Sequence, residues 1–331
     1  MGGGSWSHDL YSTRNRARQA SGKSAFDYSD TLKSASVDQW KVHDNLNPFG
    51  VKMRESRDSD EHPNSLAVGV VFDQTGSMGL IPRTLQENMT KLLGVILRKG
   101  YAENPQILFG AIGDAGMGER APLQMGQFES DNRMDENLGN LFLEGMGGGN
   151  MRESYQLALY FMDRHTDIDC WNKRRQKGYL FLIGDELTYD SIDKDEVKRL
   201  IGDDLEADIP TAKVIARLSE RYHVFFLMAP ADNYGQYDAI LKNWRKLLGE
   251  RALELKDPEA VCETIALQIG LYEGVIDLDE GIGHLKEMGV DDHLIASATK
   301  SVVPLAASQA VAKATGTLPG LSGGTSGSKR L

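Results

Sequence analysis

Leu66-Ala-Val-Gly-Val-Val-Phe72-Asp73-Gln-Thr75-Gly-Ser77-Met78 is the stretch from which the rest of the chain is read. Six of its first seven residues are apolar, with no polar alternation. Such a run predicts a strand buried on both faces of a parallel sheet. The strand is expected to end at Phe72. Asp73, Thr75 and Ser77 then fall on the loop leaving its carboxyl end, where open α/β sheets bind their ligands. One carboxylate and two hydroxyl oxygens are hard donors, which suit a small divalent cation such as Mg2+.

The same grammar repeats outward along the chain. Pro82 opens a helix with Leu85, Met89, Leu92, Leu93 and Ile96 on one face, and Gly100 ends it. Residues 106–112 read as a second strand ending at Gly113-Asp114, 123–128 as a short edge strand and 131–142 as a helix. A glycine-rich loop, 144–150, precedes a helix expected from Met151 to about His165. Asn150 and Glu153 have the spacing of a capping box, and the glycines at 147–149 suit a backbone that approaches something closely. Residues 179–183 form another apolar run that ends in acids, Asp185 and Glu186. Residues 185–208 hold ten acids in 24 positions and read as a solvated surface insertion, helical over 193–201. A helix from Pro210, a strand at 224–228, a helix at 237–248, a short strand at 252–255 and a helix from Pro258 complete the pattern. Strands alternating with helices predict an α/β fold: a doubly wound, mainly parallel sheet with helices on both faces.

Asp73-x-Thr75-x-Ser77 resembles the metal-ion-dependent adhesion site of von Willebrand factor A domains. That family has Asp-x-Ser-x-Ser after its first strand, a Thr on a second loop and an Asp on a third. The resemblance runs from about Leu66 to Gly270. It implies a Rossmann-like domain over 63–273 that holds Mg2+ or Mn2+ with Asp73, Thr75, Ser77 and Asp185. The family's Thr falls on Gly149, a departure; Asn150 or a water then stands in for it, with Gly149, Asn150 and Glu186 as weaker or indirect contributors. Two carboxylates leave a divalent ion electrophilic, so the family's way of working implies a partner protein that offers an Asp or Glu carboxylate. Intracellular bacterial or phage members of this kind act as non-enzymatic adaptors, some with AAA+ ATPases of the MoxR class. A structural role in a phage or secretion particle is the second reading. A third is enzymatic. Phe72-Asp-Gln-Thr-Gly-Ser77 also resembles the nucleophile loop of haloacid dehalogenase-type phosphatases, with Asp73 attacking phosphorus beside Mg2+. Against it, Thr75 stands where that family has its acid/base Asp, and Gln74 replaces the Lys of the related ATPases.

Outside this region the chain changes character. Residues 1–62 are polar with scattered aromatics (Trp6, Tyr11, Phe26, Tyr28, Trp40, Phe49) and read as an irregular N-terminal arm, which those aromatics would anchor to the body or a partner. Residues 274–314 read as a small helical extension with helices at 277–288 and 291–300. Residues 315–331, rich in Gly, Ser and Thr, read as a disordered tail.

The charge balance limits partners. The chain of 331 residues has 37 basic and 48 acidic groups, a net charge of −11, which argues against a general or specific nucleic-acid binder. Two cysteines, Cys170 and Cys262, exclude a disulfide framework and suggest a reducing compartment. No apolar run approaches the roughly 20 residues of a membrane span, and the first residues lack the pattern of a signal peptide. The expected location is cytoplasmic. The seven histidines show no metal-ligand spacing, and neither a P-loop nor a hydrolase Gly-x-Ser-x-Gly is present.

Overall fold

The apolar run at 66–72 lies within a nine-residue strand, β1 (Ser65–Asp73), buried at every position. The computed structural model describes residues 4–78, 80–145, 149–230 and 234–315, with all their side chains except those at 77, 89–91, 234–236 and 308–315. Five further strands join β1 in one sheet: β2 (Asn104–Ile112), β3 (Leu123–Met125), β4 (Gly178–Gly184), β5 (Tyr222–Met228) and β6 (Ala252–Glu254). Their order is β6-β5-β4-β1-β2-β3. Every pairing is parallel except β2 with β3, which runs antiparallel at one edge. The fold is therefore mixed α/β around a mainly parallel six-stranded sheet.

Side chains alternate across a strand, so the partners of neighbouring residues locate the covering helices. On β4, the Tyr179 hydroxyl donates to Glu273 at 2.6 Å and its ring meets Tyr272 edge-on. Both partners stem from α5 (Val261–Glu273). On the opposite face, a Cβ on Gly69 would stand 3.0 Å from Leu180 Cδ1 and 3.1 Å from the methyl of Met162. Met162 belongs to α4 (Tyr155–Arg164), which the sheet therefore separates from α5. The periodic face expected from residue 82 is found on α3 (Leu80–Arg98), where Ile81, Leu85, Leu92, Leu93 and Ile96 are buried. Each such aliphatic side chain contributes about 1.5–3 kcal/mol by leaving water.

Four expectations are corrected. The helix expected from Met151 starts at Tyr155. Met151 has φ +61°, a left-handed backbone that cannot continue a helix, and Arg152–Glu153 instead pairs in parallel with Leu187–Thr188. The arm at 1–62 is not irregular throughout. It forms α1 (His8–Ala20) and α2 (Asp27–Lys33), and Tyr11, Phe26, Leu32 and Leu46 are buried. Scattered aromatics gave those helices anchors without a period that would reveal them. The acid-rich segment is not wholly solvated, because Ile192, Val197 and Ile201 are buried beneath it. Finally, after α6 (Leu278–Glu287), the second helix of the extension does not stop at residue 300. It continues as α7 (Asp292–Thr315), whose Ala298, Val302 and Leu305 are buried. The tail expected at 315–331 lies, beyond Thr315, outside the described residues. Among the described residues no helix is long and apolar enough to cross a membrane.

Candidate functional site

The strand register assembles the site. Phe72 lies opposite Ile183, and Asp73 lies opposite Ile112. Asp73 closes β1, Asp185 follows β4 directly, and Asp114 follows β2 by one residue. Three acids thus stand at the carboxyl ends of three adjacent strands, all of them buried. The first loop turns tightly around Asp73. Its Oδ1 accepts a 2.7 Å hydrogen bond from the Thr75 amide, and the Thr75 hydroxyl also bonds this carboxylate. One 3-10 turn, Gly76–Met78, then leads into α3. Ser77 lies on this turn, but its side chain is outside the described part of the structure.

The third loop is held from behind, where the Glu186 carbonyl accepts from the Trp244 indole at 2.9 Å. Gly184 is obligatory here: a Cβ at this position would stand 1.7 Å from the hydroxyl oxygen of Tyr155. That hydroxyl donates to Asp73 Oδ2 at 3.4 Å. The second loop is joined to the third by the Leu187 amide, which donates to the Met151 carbonyl at 3.1 Å.

Asn150 does not cap a helix and does not turn toward Asp73. Its amide nitrogen donates to Asp114 Oδ2 at 2.7 Å and to the Tyr189 hydroxyl at 3.0 Å, while its oxygen accepts from the Arg152 amide at 3.0 Å. Gly149 has φ +66° with nothing near its missing Cβ. Gly147 and Gly148 lie outside the described residues.

Glu153 was expected to cap that helix. It is instead 0% exposed, and neither of its carboxylate oxygens has a hydrogen-bond partner. Burial, followed by the charge of Asp73, raises its pKa far above the usual carboxylate range. Asp73 is raised likewise, by burial against the Thr75 hydrogen bonds and with the charges of Asp185 and Glu186 adding to it. Burial, then Asp185 and Asp114, pushes Glu186 up to about 7. Glu119 also reaches about 7, through burial and then Glu144 and Asp114, against a lowering hydrogen bond from Gln74. The charges that act most strongly on these four acids are all other carboxylates. Crowded, dehydrated carboxylates repel one another and favour either a proton or a cation.

Asp73, Thr75, Asp185 and Glu186 thus lie at the same end of the sheet, whereas Asn150 bonds Asp114 and Tyr189. Sequence reasoning missed Glu153, Asp114 and Glu119 as site acids. Asp114 was discoverable by the rule that selected Asp73 and Asp185, a position at a strand's carboxyl end. Among the described residues, no group of three or more His, Cys, Asp or Glu side chains forms a ready-made metal cage. The donors read from the sequence mix carboxylates with hydroxyls.

No family model matches the chain, and no curated protein does. Among solved structures, it is similar to the pilus adhesin SpaC of Lactobacillus rhamnosus GG in its open conformation, at 12% identity and a TM-score of 0.42, over 65% of this chain and 31% of that one. It is also similar to proximal thread matrix protein 1 of the mussel byssus, at 9% identity and a TM-score of 0.40, over 65% of this chain and 48% of that one. The chain therefore spans less than half the length of each.

Proposed function

We propose that the carboxyl end of the sheet is a divalent-metal site of the von Willebrand factor A type, in a doubly wound, Rossmann-like domain, and that the protein is a non-enzymatic interaction module. The observation that carries this reading is the placement of buried Asp73 and Asp185 at the carboxyl ends of two adjacent strands, with Glu153 and Glu186 near enough for carboxylate charges to raise the pKa of Asp73, Glu153 and Glu186 alike. A bound Mg2+ or Mn2+ would neutralise that cluster and present an electrophilic position to an Asp or Glu carboxylate of a partner protein.

Asp73, Thr75, Ser77 and Asp185 would hold the ion. Asp73 is preset for this by its own loop, because the Thr75 amide fixes one of its oxygens. Tyr155 steadies the other oxygen from beneath. Gly149 offers no hydroxyl, and the oxygen of Asn150 is occupied by the Arg152 amide. A water would take that place, and Glu153, whose carboxyl feels the charge of Asp73, would act on the ion at one remove.

Partnership with an AAA+ ATPase and a cytoplasmic location are part of the proposal. Both cysteines are buried, and a chain with only two of them suits a reducing compartment. Calorimetric titration of Mg2+ and Mn2+ into wild type and Asp73→Ala tests the reading. Saturable binding that disappears in a folded Asp73→Ala is expected. Absence of binding to wild type at millimolar metal overturns it.

A further inference from the structure

The N-terminal segment reaches the site from the side. Ser29 on α2 accepts a hydrogen bond from the Leu143 amide at 3.1 Å. Trp40 meets Phe142 edge-on with ring centroids 5.3 Å apart, and its indole N–H is fixed on the Leu32 carbonyl at 2.8 Å. Leu32, Ala121 and Phe142 form an apolar cluster of their own, separate from the main core.

Behind Phe142 runs a continuous chain of buried amides. Gln124 accepts from the Phe142 amide at 2.9 Å and donates back to the Phe142 carbonyl at 2.8 Å. It also donates to Gln74 Oε1 at 2.7 Å. Gln74 in turn donates to the Ala121 carbonyl at 3.0 Å and to Glu119 Oε2 at 3.3 Å. Gln74 sits between Asp73 and Thr75, and its own amide is bonded to the Ile112 carbonyl at 2.8 Å. A buried hydrogen-bonded network favours one geometry, because a shift leaves dehydrated polar atoms without partners. Displacing Phe142 would strip two hydrogen bonds from Gln124 and loosen its hold on Gln74.

We propose that residues 26–42 are a positioning element of the metal loop, acting from Trp40 and Ser29 through Phe142, Gln124 and Gln74 on Asp73 and Thr75. This inference rests on the metal reading above. Its consequence is that a partner which lifts this segment lowers metal affinity without touching the metal loop. The competing view is that the segment merely seals Phe142 from water and adds general stability.

The test uses the full chain and Mn2+ alone. Calorimetry compares wild type, Trp40→Ala, Trp40→Phe and, as a control on the same segment, Val37→Ala, whose side chain is exposed. Hydrogen exchange is followed in parallel at residues 73–75 and along β4. Trp40→Ala is expected to weaken Mn2+ binding by several-fold, up to the roughly tenfold that loss of a group bonded directly to a metal ligand costs. Exchange should accelerate at 73–75 but not in β4. Trp40→Phe keeps a ring on Phe142 and restores most of the affinity, and Val37→Ala matches wild type. Wild-type affinity and wild-type exchange in Trp40→Ala overturn the proposal. So does acceleration that is equal in β4, because it marks a general stabiliser. If wild type binds no Mn2+, the metal reading falls and the exchange pattern alone decides the coupling: selective acceleration at 73–75 supports it, and its absence overturns it.

Discussion

Gly184→Ala puts a methyl group where the site has no room. The added Cβ would stand 1.7 Å from the Tyr155 hydroxyl oxygen and 2.7 Å from Cζ, below the 3.0 Å that real Cβ contacts respect. Tyr155 has no direction of retreat. It is 0% exposed, and its ring is held edge-on by Phe226 at 5.6 Å and by Trp244 at 5.3 Å. Trp244 is itself buried and stacked on Phe226. Nor does β4 yield, because it is paired on both edges, with β1 and β5. Overpacking in such a setting costs about 1–3 kcal/mol, and the contact distances place this case at the upper end. The Tyr155–Asp73 hydrogen bond, at 3.4 Å, adds little to that loss. At about 2–4 °C per kcal/mol for a domain of this size, Tm falls by roughly 5–10 °C. Differential scanning fluorimetry or calorimetry reads it directly. Tyr155→Phe removes the atom in the worst clash but leaves Cζ in place, so Gly184→Ala/Tyr155→Phe should recover part of the loss. The coupling between the two sites should be about 1 kcal/mol or more. A Gly184→Ala variant that melts with wild type, or a double variant no more stable than Gly184→Ala, refutes the reasoning.

Two buried acids with raised pKa values, Glu119 and Glu153, yield further predictions. The Glu119 carboxyl titrates near 7 in the folded protein, above its unfolded value, so in EDTA this group withdraws stability as pH rises from about 4.5 to about 7. Glu119→Gln should therefore melt higher than wild type at pH 8 and close to it at pH 5; identical melting profiles across that range would show that the group titrates normally. Glu153→Gln should raise Tm in EDTA at pH 8, because it removes the cost of protonating a buried carboxyl whose pKa is held far above that of the unfolded chain, and should weaken Mn2+ binding by about tenfold or more. If neither quantity changes, the pKa of Glu153 is not raised and the residue lies outside the metal site.

The central strand and its neighbours were legible because a strand buried on both faces lacks polar alternation, and β1 lacks it between its polar ends, Ser65 and Asp73. The acids at the ends of β1 and β4 followed from the same rule. Glu153 was not legible. Its spacing from Asn150 matches a capping box, and only the left-handed backbone at Met151 shows why that box never forms. Nothing in the sequence distinguishes a methionine that continues a helix from one that breaks it. The N-terminal segment was half legible. Tyr11, Phe26 and Trp40 do anchor it, yet Phe49 is exposed, and the short helices between the anchors carry too few apolar positions to show a period. The amide chain through Gln74 and Gln124 joins residues 50 positions apart, a separation that no local pattern reports.

The most direct test is an anomalous difference map from crystals of the full chain soaked with MnCl2, beside the same experiment on Asp73→Ala. A single strong peak at the carboxyl ends of β1 and β4, bounded by Asp73, Thr75 and Asp185 and absent in Asp73→Ala, is the expected result. Mn2+ bound elsewhere at saturation, with the space beside Asp73 empty in wild type, would contradict the proposed metal site.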